Sequence, residues 1–110
     1  MIKVVNKHTH VPTIYDYYVG RGSILGNRYT SKSLNETKAE IQCETREETV
    51  EMYQIELINR IENKDKEICD ELNKIYKMAK EGDVFLVCYC SPLLCHGDVI
   101  KQIIENKLKK

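Results

Sequence analysis

Seven residues without polar alternation, Val84-Phe85-Leu86-Val87-Cys88-Tyr89-Cys90, stand between Gly82-Asp83 and Ser91-Pro92. A continuous apolar run closed at both ends by turn residues is the pattern of a strand buried on both faces. Such a strand must be central to a sheet and needs other elements to cover it. The chain supplies them. Thr45 followed three residues later by Glu48 is a capping box, after which Val50, Tyr53, Leu57, Ile58 and Ile61 recur at helical spacing. Asn63-Lys64-Asp65 interrupts that stripe, and Ile68, Leu72, Ile75, Tyr76 and Ala79 mark a second helix that stops at Gly82. Val99, Ile100, Ile103, Ile104 and Leu108 line one face of a C-terminal helix, with Lys107, Lys109 and Lys110 complementing its negative end. The β-branched run at residues 2–5 and the short segment 17–19 read as two further strands. The expected fold is α/β, a short and at least partly parallel sheet with helices packed against it.

At 110 residues the chain has room for one hydrophobic core, so residues 1–110 are read as a single domain. Seventeen basic residues balance seventeen acidic ones, which leaves nonspecific nucleic-acid binding without a global electrostatic source. A small molecule or a protein is the expected partner. No stretch approaches the roughly 20 apolar residues that cross a bilayer, so no membrane association and a soluble, unexported, cytoplasmic protein are expected. Five cysteines in a reducing compartment would be thiols or metal ligands rather than disulfides. The sequon Asn35-Glu36-Thr37 has no meaning there. Residues 24–43 lack a clear period and read as a lid or an irregular connection, and no internal repeat appears.

Two segments carry chemistry, and both follow strands, where ligands bind in parallel sheets. The first, residues 20–27, is GRGSILGN. Gly20, Gly22 and Gly26 allow backbone N–H groups to turn toward one point, while Arg21 and Ser23 add donors, an arrangement suited to a phosphate. Arg21 could grip an anion through two N–H bonds and Asn27 could read a sugar hydroxyl or a base edge. The competing reading is a tight turn with a solvated arginine. Neither the Walker nor the GxGxxG fingerprint is present, which disfavours ATP hydrolysis and NAD-dependent redox chemistry.

The second segment, residues 88–98, is CYCSPLLCHGD. Cys90, Cys95 and His96, with Cys88, are candidate zinc ligands, although a CxxC knuckle is absent and adjacent Cys95 and His96 converge poorly on one ion. Cys95 at a helix start beside a histidine could instead be an activated nucleophile. His96 or Asp98 could serve as general acid or base. Against these stand packing for Cys88 and helix capping for Asp98. Cys43 and Cys69 lack partners at ligand spacing, and His8 and His10 flank Thr9 in a loop. Tyr15, Tyr17 and Tyr18 could stack on a base or plug the sheet edge.

The two motifs together resemble an uncharacterised domain-of-unknown-function family of phages and bacteria whose members read GRxSxLGNPF and CxCxPxxCHGDVL. Gly20, Arg21, Ser23, Leu25, Gly26 and Asn27 match the first pattern; Cys88, Cys90, Pro92, Cys95, His96, Gly97 and Asp98 match the second. Arg28 departs from the family's proline and Tyr89 from its frequent tryptophan. The resemblance implies a small Rossmann-like domain and a phage source, with no established activity. Small Rossmann-like relatives often process nucleotides or nucleosides. The expected function is therefore binding of a nucleotide-like or phosphoribosyl-bearing small molecule, with cleavage of its N-glycosidic or phosphate bond as the catalytic form. The alternatives are a phage protein that sequesters a host signalling nucleotide or inhibits a host protein, and a zinc-stabilised structural module. A homo-oligomer that completes the site is a further expectation.

Overall fold

A computed structural model describes residues 1–30, 41–89, 93 and 95–109. Cys90 and Pro92, and the middle of the irregular connection, residues 31–40, lie outside the described residues. The elements run β1 (Ile2–Asn6), β2 (Asp16–Tyr18), β3 (Tyr29–Thr30), β4 (Ile41–Gln42), α1 (Arg46–Glu62), α2 (Lys66–Glu81), β5 (Val84–Cys88) and α3 (His96–Leu108). The main sheet has the order β1-β5-β2 and both pairings are parallel. The apolar run thus forms the central strand, reached from β2 only after α1 and α2 have crossed over it. A second parallel pair, β3 with β4, is two residues long on each side and too short to be read from sequence periodicity.

Strand alternation divides β5 between two environments. Val84, Leu86 and Cys88 are fully buried and join Ile2, Ile75, Ile100 and Ile104 in one core cluster with the helices. Phe85, on the opposite face, is half-buried and meets the His10 ring at 5.0 Å between centroids. The expected burial on both faces is therefore complete on the helix side, while the other side is covered by the β1–β2 connection. His10 Nε2 lies 2.9 Å from Asp16 Oδ1, and the Thr13 hydroxyl donates to the same oxygen at 2.8 Å. That carboxylate ties the connection back to the start of β2.

Local chemistry sets the helix limits. The Thr45 hydroxyl accepts the Glu48 N–H at 3.1 Å and the Asp65 carboxylate accepts the Ile68 N–H at 3.4 Å, each capping a first turn. Between α1 and α2, Lys64 takes φ 57°, the left-handed kink that makes the helices separate elements. At the free edge of β2 the Tyr17 hydroxyl donates to Glu71 Oε1 at 2.5 Å, so this tyrosine fastens the edge strand to α2. Among the described residues no helix is long and apolar enough to cross a membrane.

Candidate functional site

β2 pairing continues one residue past the strand, where the Val19 N–H donates to the Val87 carbonyl at 3.0 Å. The chain then folds into two successive turns. The Ser23 N–H and hydroxyl both donate to the Gly20 carbonyl, at 3.2 and 2.6 Å, and the Gly26 N–H donates to the Ser23 carbonyl at 3.0 Å. Gly22 sits at φ +94°, a conformation that L side chains rarely adopt. Gly26 meets a different demand: a Cβ there would lie 2.7 Å from the Gly20 carbonyl oxygen and 3.1 Å from the Ser23 carbonyl oxygen. The segment is a coil of backbone packed against itself.

Its polar side chains serve this coil. Arg21 donates from Nε to the Asn27 carbonyl at 3.0 Å and from Nη2 to the Tyr29 carbonyl at 2.7 Å. Asn27 is buried, donating to the Thr49 carbonyl at 3.3 Å and accepting the Tyr29 N–H at 2.9 Å. The amide that could have read a sugar hydroxyl is turned inward, and the Ser23 hydroxyl likewise donates within the loop. Below the coil, the Tyr53 hydroxyl donates to the Leu25 carbonyl at 2.6 Å, so α1 holds the loop from the core side.

Between the coil and α1 opens a cleft of about 630 Å³, lined by Arg21, Gly22, Ser23, Gly26, Asn27, Arg28, Glu56 and Arg60. Three of these, Arg28, Glu56 and Arg60, are not among the site residues expected from the sequence. Glu56 Oε2 accepts from Arg28 Nε and from the Tyr29 hydroxyl, both at 2.8 Å, while Arg60 approaches Oε1 at 4.0 Å and pairs with Asp65 at 3.2 Å. Burial and the Glu56 carboxylate push the Tyr29 phenol above its ordinary value, keeping it a donor. The only sequence signal was the i,i+4 spacing of Glu56 and Arg60, which any solvated helix face can show.

The second segment meets the first through His96. Its ring is 5% exposed, Nε2 is hydrogen-bonded to the Val19 carbonyl, and its edge meets the Tyr53 ring at 5.1 Å between centroids. A carbonyl can only accept, so Nε2 carries the proton. Burial holds the imidazole below its ordinary pKa. It is a neutral prop beneath the turn, and it does not line the cleft.

Cys95 N-caps α3. Its backbone N–H donates to Asp98 Oδ2 at 3.1 Å, the acidic half of a capping box. The Cys95 and Cys88 sulfurs are 3.5 Å apart in the core. Cys88 and burial both push the Cys95 thiol up, so this environment favours the neutral thiol over the thiolate that a nucleophile requires. Among the described residues no three His, Cys, Asp or Glu side chains group as a metal site; Cys90, one of the candidate zinc ligands, lies outside them. Asp98→Ala is expected to lower stability by about 1 kcal/mol, the ordinary loss for a cap, in equilibrium urea unfolding. A change below about 0.3 kcal/mol would remove the capping role.

Fold and site define a small α/β domain with a three-stranded parallel sheet and an arginine-lined cleft at the loop after its edge strand. The chain belongs to the family described as Domain of unknown function (DUF4326), whose model matches residues 3–106. It is also similar to an uncharacterised 12.4 kDa protein from the nrdA-td intergenic region of Enterobacteria phage T4, 28% identical over 109 residues, covering 99% of this chain and 82% of the phage protein. No solved structure matches the chain.

Proposed function

We propose that the domain binds a phosphate-bearing, nucleotide-like small molecule in the cleft between residues 20–28 and α1. The observation that carries this is the lining charge: among the described residues Arg21, Arg28 and Arg60 line a space of about 630 Å³ with one carboxylate, Glu56, while Asp65 beside it pairs with Arg60. Ligand sites of small molecules commonly fall in that size range, and guanidinium groups match phosphate oxygens in pairs. The cleft adjoins the carboxyl end of β2, where parallel sheets bind ligands, and the β1-β5-β2 order fits a reduced Rossmann-like arrangement. Binding is preferred to bond cleavage. The buried His96 ring, the protonated Cys95 thiol and the capping Asp98 all have structural occupations, and among the described residues Glu56 is the one carboxylate of the lining. The likeness to a phage protein fits a ligand drawn from the cytoplasm of an infected bacterial cell.

Calorimetric titration of the purified protein with inorganic phosphate, ribose 5-phosphate and nucleoside monophosphates tests this reading. Arg21→Gln is expected to weaken binding at least about tenfold, the usual loss for one charge-assisted anion contact. Glu56→Gln is expected to tighten it about fivefold, because a negative charge several ångströms from the anion then disappears. Absence of binding at millimolar concentration for all of these compounds would end the proposal. So would a Glu56→Gln variant with unchanged affinity.

A further inference from the structure

Beyond the carboxyl ends of the three parallel strands lies a group of rings that the core does not use. Tyr18 is the last residue of β2 and is 37% exposed; Tyr89 follows β5 and is 46% exposed. Their centroids are 6.1 Å apart with the planes 82° to one another, so the two phenols form the walls of a right-angled corner. His8, just past β1, places its ring 5.2 Å from Tyr89. The Lys7 ammonium stands 5.3 Å from the Tyr18 centroid and 5.8 Å from that of Tyr89. Tyr17, Tyr29 and Tyr53 differ in being partly or fully buried, and Tyr15, 50% exposed, stands at the opposite, amino end of β2. The exposed corner is thus set apart both by position and by exposure.

It is also joined to the cleft. The Tyr18 hydroxyl donates to the Arg21 carbonyl at 2.9 Å, and its ring lies so close over Gly20 that a Cβ there would fall 2.4 Å from the phenolic oxygen. Arg21 lines the cleft. One turn of chain therefore carries a cationic cleft and abuts an aromatic corner.

We infer that the corner formed by Tyr18 and Tyr89 is a stacking subsite for the planar heteroaromatic ring of the same ligand whose phosphate the arginines hold. The ring takes the place over one phenol where the Lys7 ammonium now stands and meets the other phenol at its edge, and the displaced ammonium donates to the acceptors on its rim. This rests on the cleft reading for its phosphate half. The base half stands on its own geometry, with specificity for planarity and little discrimination among bases, since every base presents a π face.

The test compares ribose 5-phosphate with adenosine and uridine 5′-monophosphates on wild type, Tyr89→Leu and Tyr89→Phe. Wild type is expected to bind both monophosphates at least about tenfold more tightly than ribose 5-phosphate, the gain of one stacked base. Tyr89→Leu should erase that difference and leave ribose 5-phosphate unaffected, while Tyr89→Phe should restore it. Equal affinities in wild type, or a Tyr89→Leu variant that keeps the difference, overturn the inference. If no phosphate compound binds, the cleft reading has failed separately, and free adenosine and uridine then decide the corner. Shifts of the Tyr18 and Tyr89 ring protons on their addition, absent in Tyr89→Leu, uphold it; no shifts overturn it.

Discussion

Gly26→Ala unfolds about 2 to 3 kcal/mol more easily than wild type in urea, with its slope on denaturant unchanged. The added methyl would stand 2.7 Å from the Gly20 carbonyl oxygen and 3.1 Å from both the Arg21 Cα and the Ser23 carbonyl oxygen, all of them backbone. None can step aside cheaply. The Gly20 carbonyl is held by two donors from Ser23, and the Leu25 carbonyl is held by the buried Tyr53 hydroxyl. The loop must open, and Arg21 and Asn27, which close it onto the residues that follow, move with it. Gly22→Ala is the informative contrast. A Cβ at Gly22 meets nothing within 4 Å, yet φ +94° is strained for alanine, which predicts a smaller loss of about 1 kcal/mol. Were Gly22→Ala the more damaging of the two, the close packing of the two turns could not be what makes Gly26 necessary.

The second large effect belongs to His96. Removing its ring in His96→Ala leaves the Val19 carbonyl unpaired beneath the turn and opens a void against Tyr53, together about 3 kcal/mol. Because burial depresses the folded imidazole below its ordinary value of 6.5, protonation favours the unfolded chain. The contribution is complete above pH 6.5 and is lost as the pH falls from there toward the lower folded value. The slope in that interval reaches at most about 1.4 kcal/mol per pH unit, the limit for one proton. Asp16, held below the usual carboxylate range against its burial by bonds from His10 and Thr13, loses its own contribution only at more acid pH. His96→Gln keeps an N–H donor at the position of Nε2 but cannot titrate. Stability curves measured between pH 5 and 7 should therefore be flat for His96→Gln relative to wild type. Parallel curves would show that this histidine is not the group that titrates.

These two residues also show how far the sequence could be read. Gly26 and His96 stand in the two motifs, where the sequence suggests an anion cradle for the first and acid–base work for the second. In the folded chain Gly26 is a point of backbone contact and His96 a prop, because each is decided by what lies across the fold: Gly20 in the first case, Val19 and Tyr53 in the second. Asn27 teaches the same lesson, since the carbonyl that takes its amide is Thr49, 22 residues away on α1. Of the cleft arginines only Arg21 stands in a motif; Arg28 and Arg60 carry no signal in the spacing that marks them as its neighbours. Arg28 and Glu56 are separated by 28 positions and pair only because α1 is laid beside the loop.

What the sequence determined by itself is local in origin. The unbroken apolar run made β5 the central strand, the periods of 3.6 residues made three helices, and Thr45 and Asn63-Lys64-Asp65 marked where they begin and part. Hydrophobic period and capping act within a few residues, so they survive without knowledge of the fold. The tertiary structure alone decided which polar residues face the cleft. A side chain's exposure depends on neighbours brought in from distant positions, and for residues 20–27 and 95–98 those neighbours turned several of the most chemically suggestive groups inward and left a wall of arginines facing the cleft.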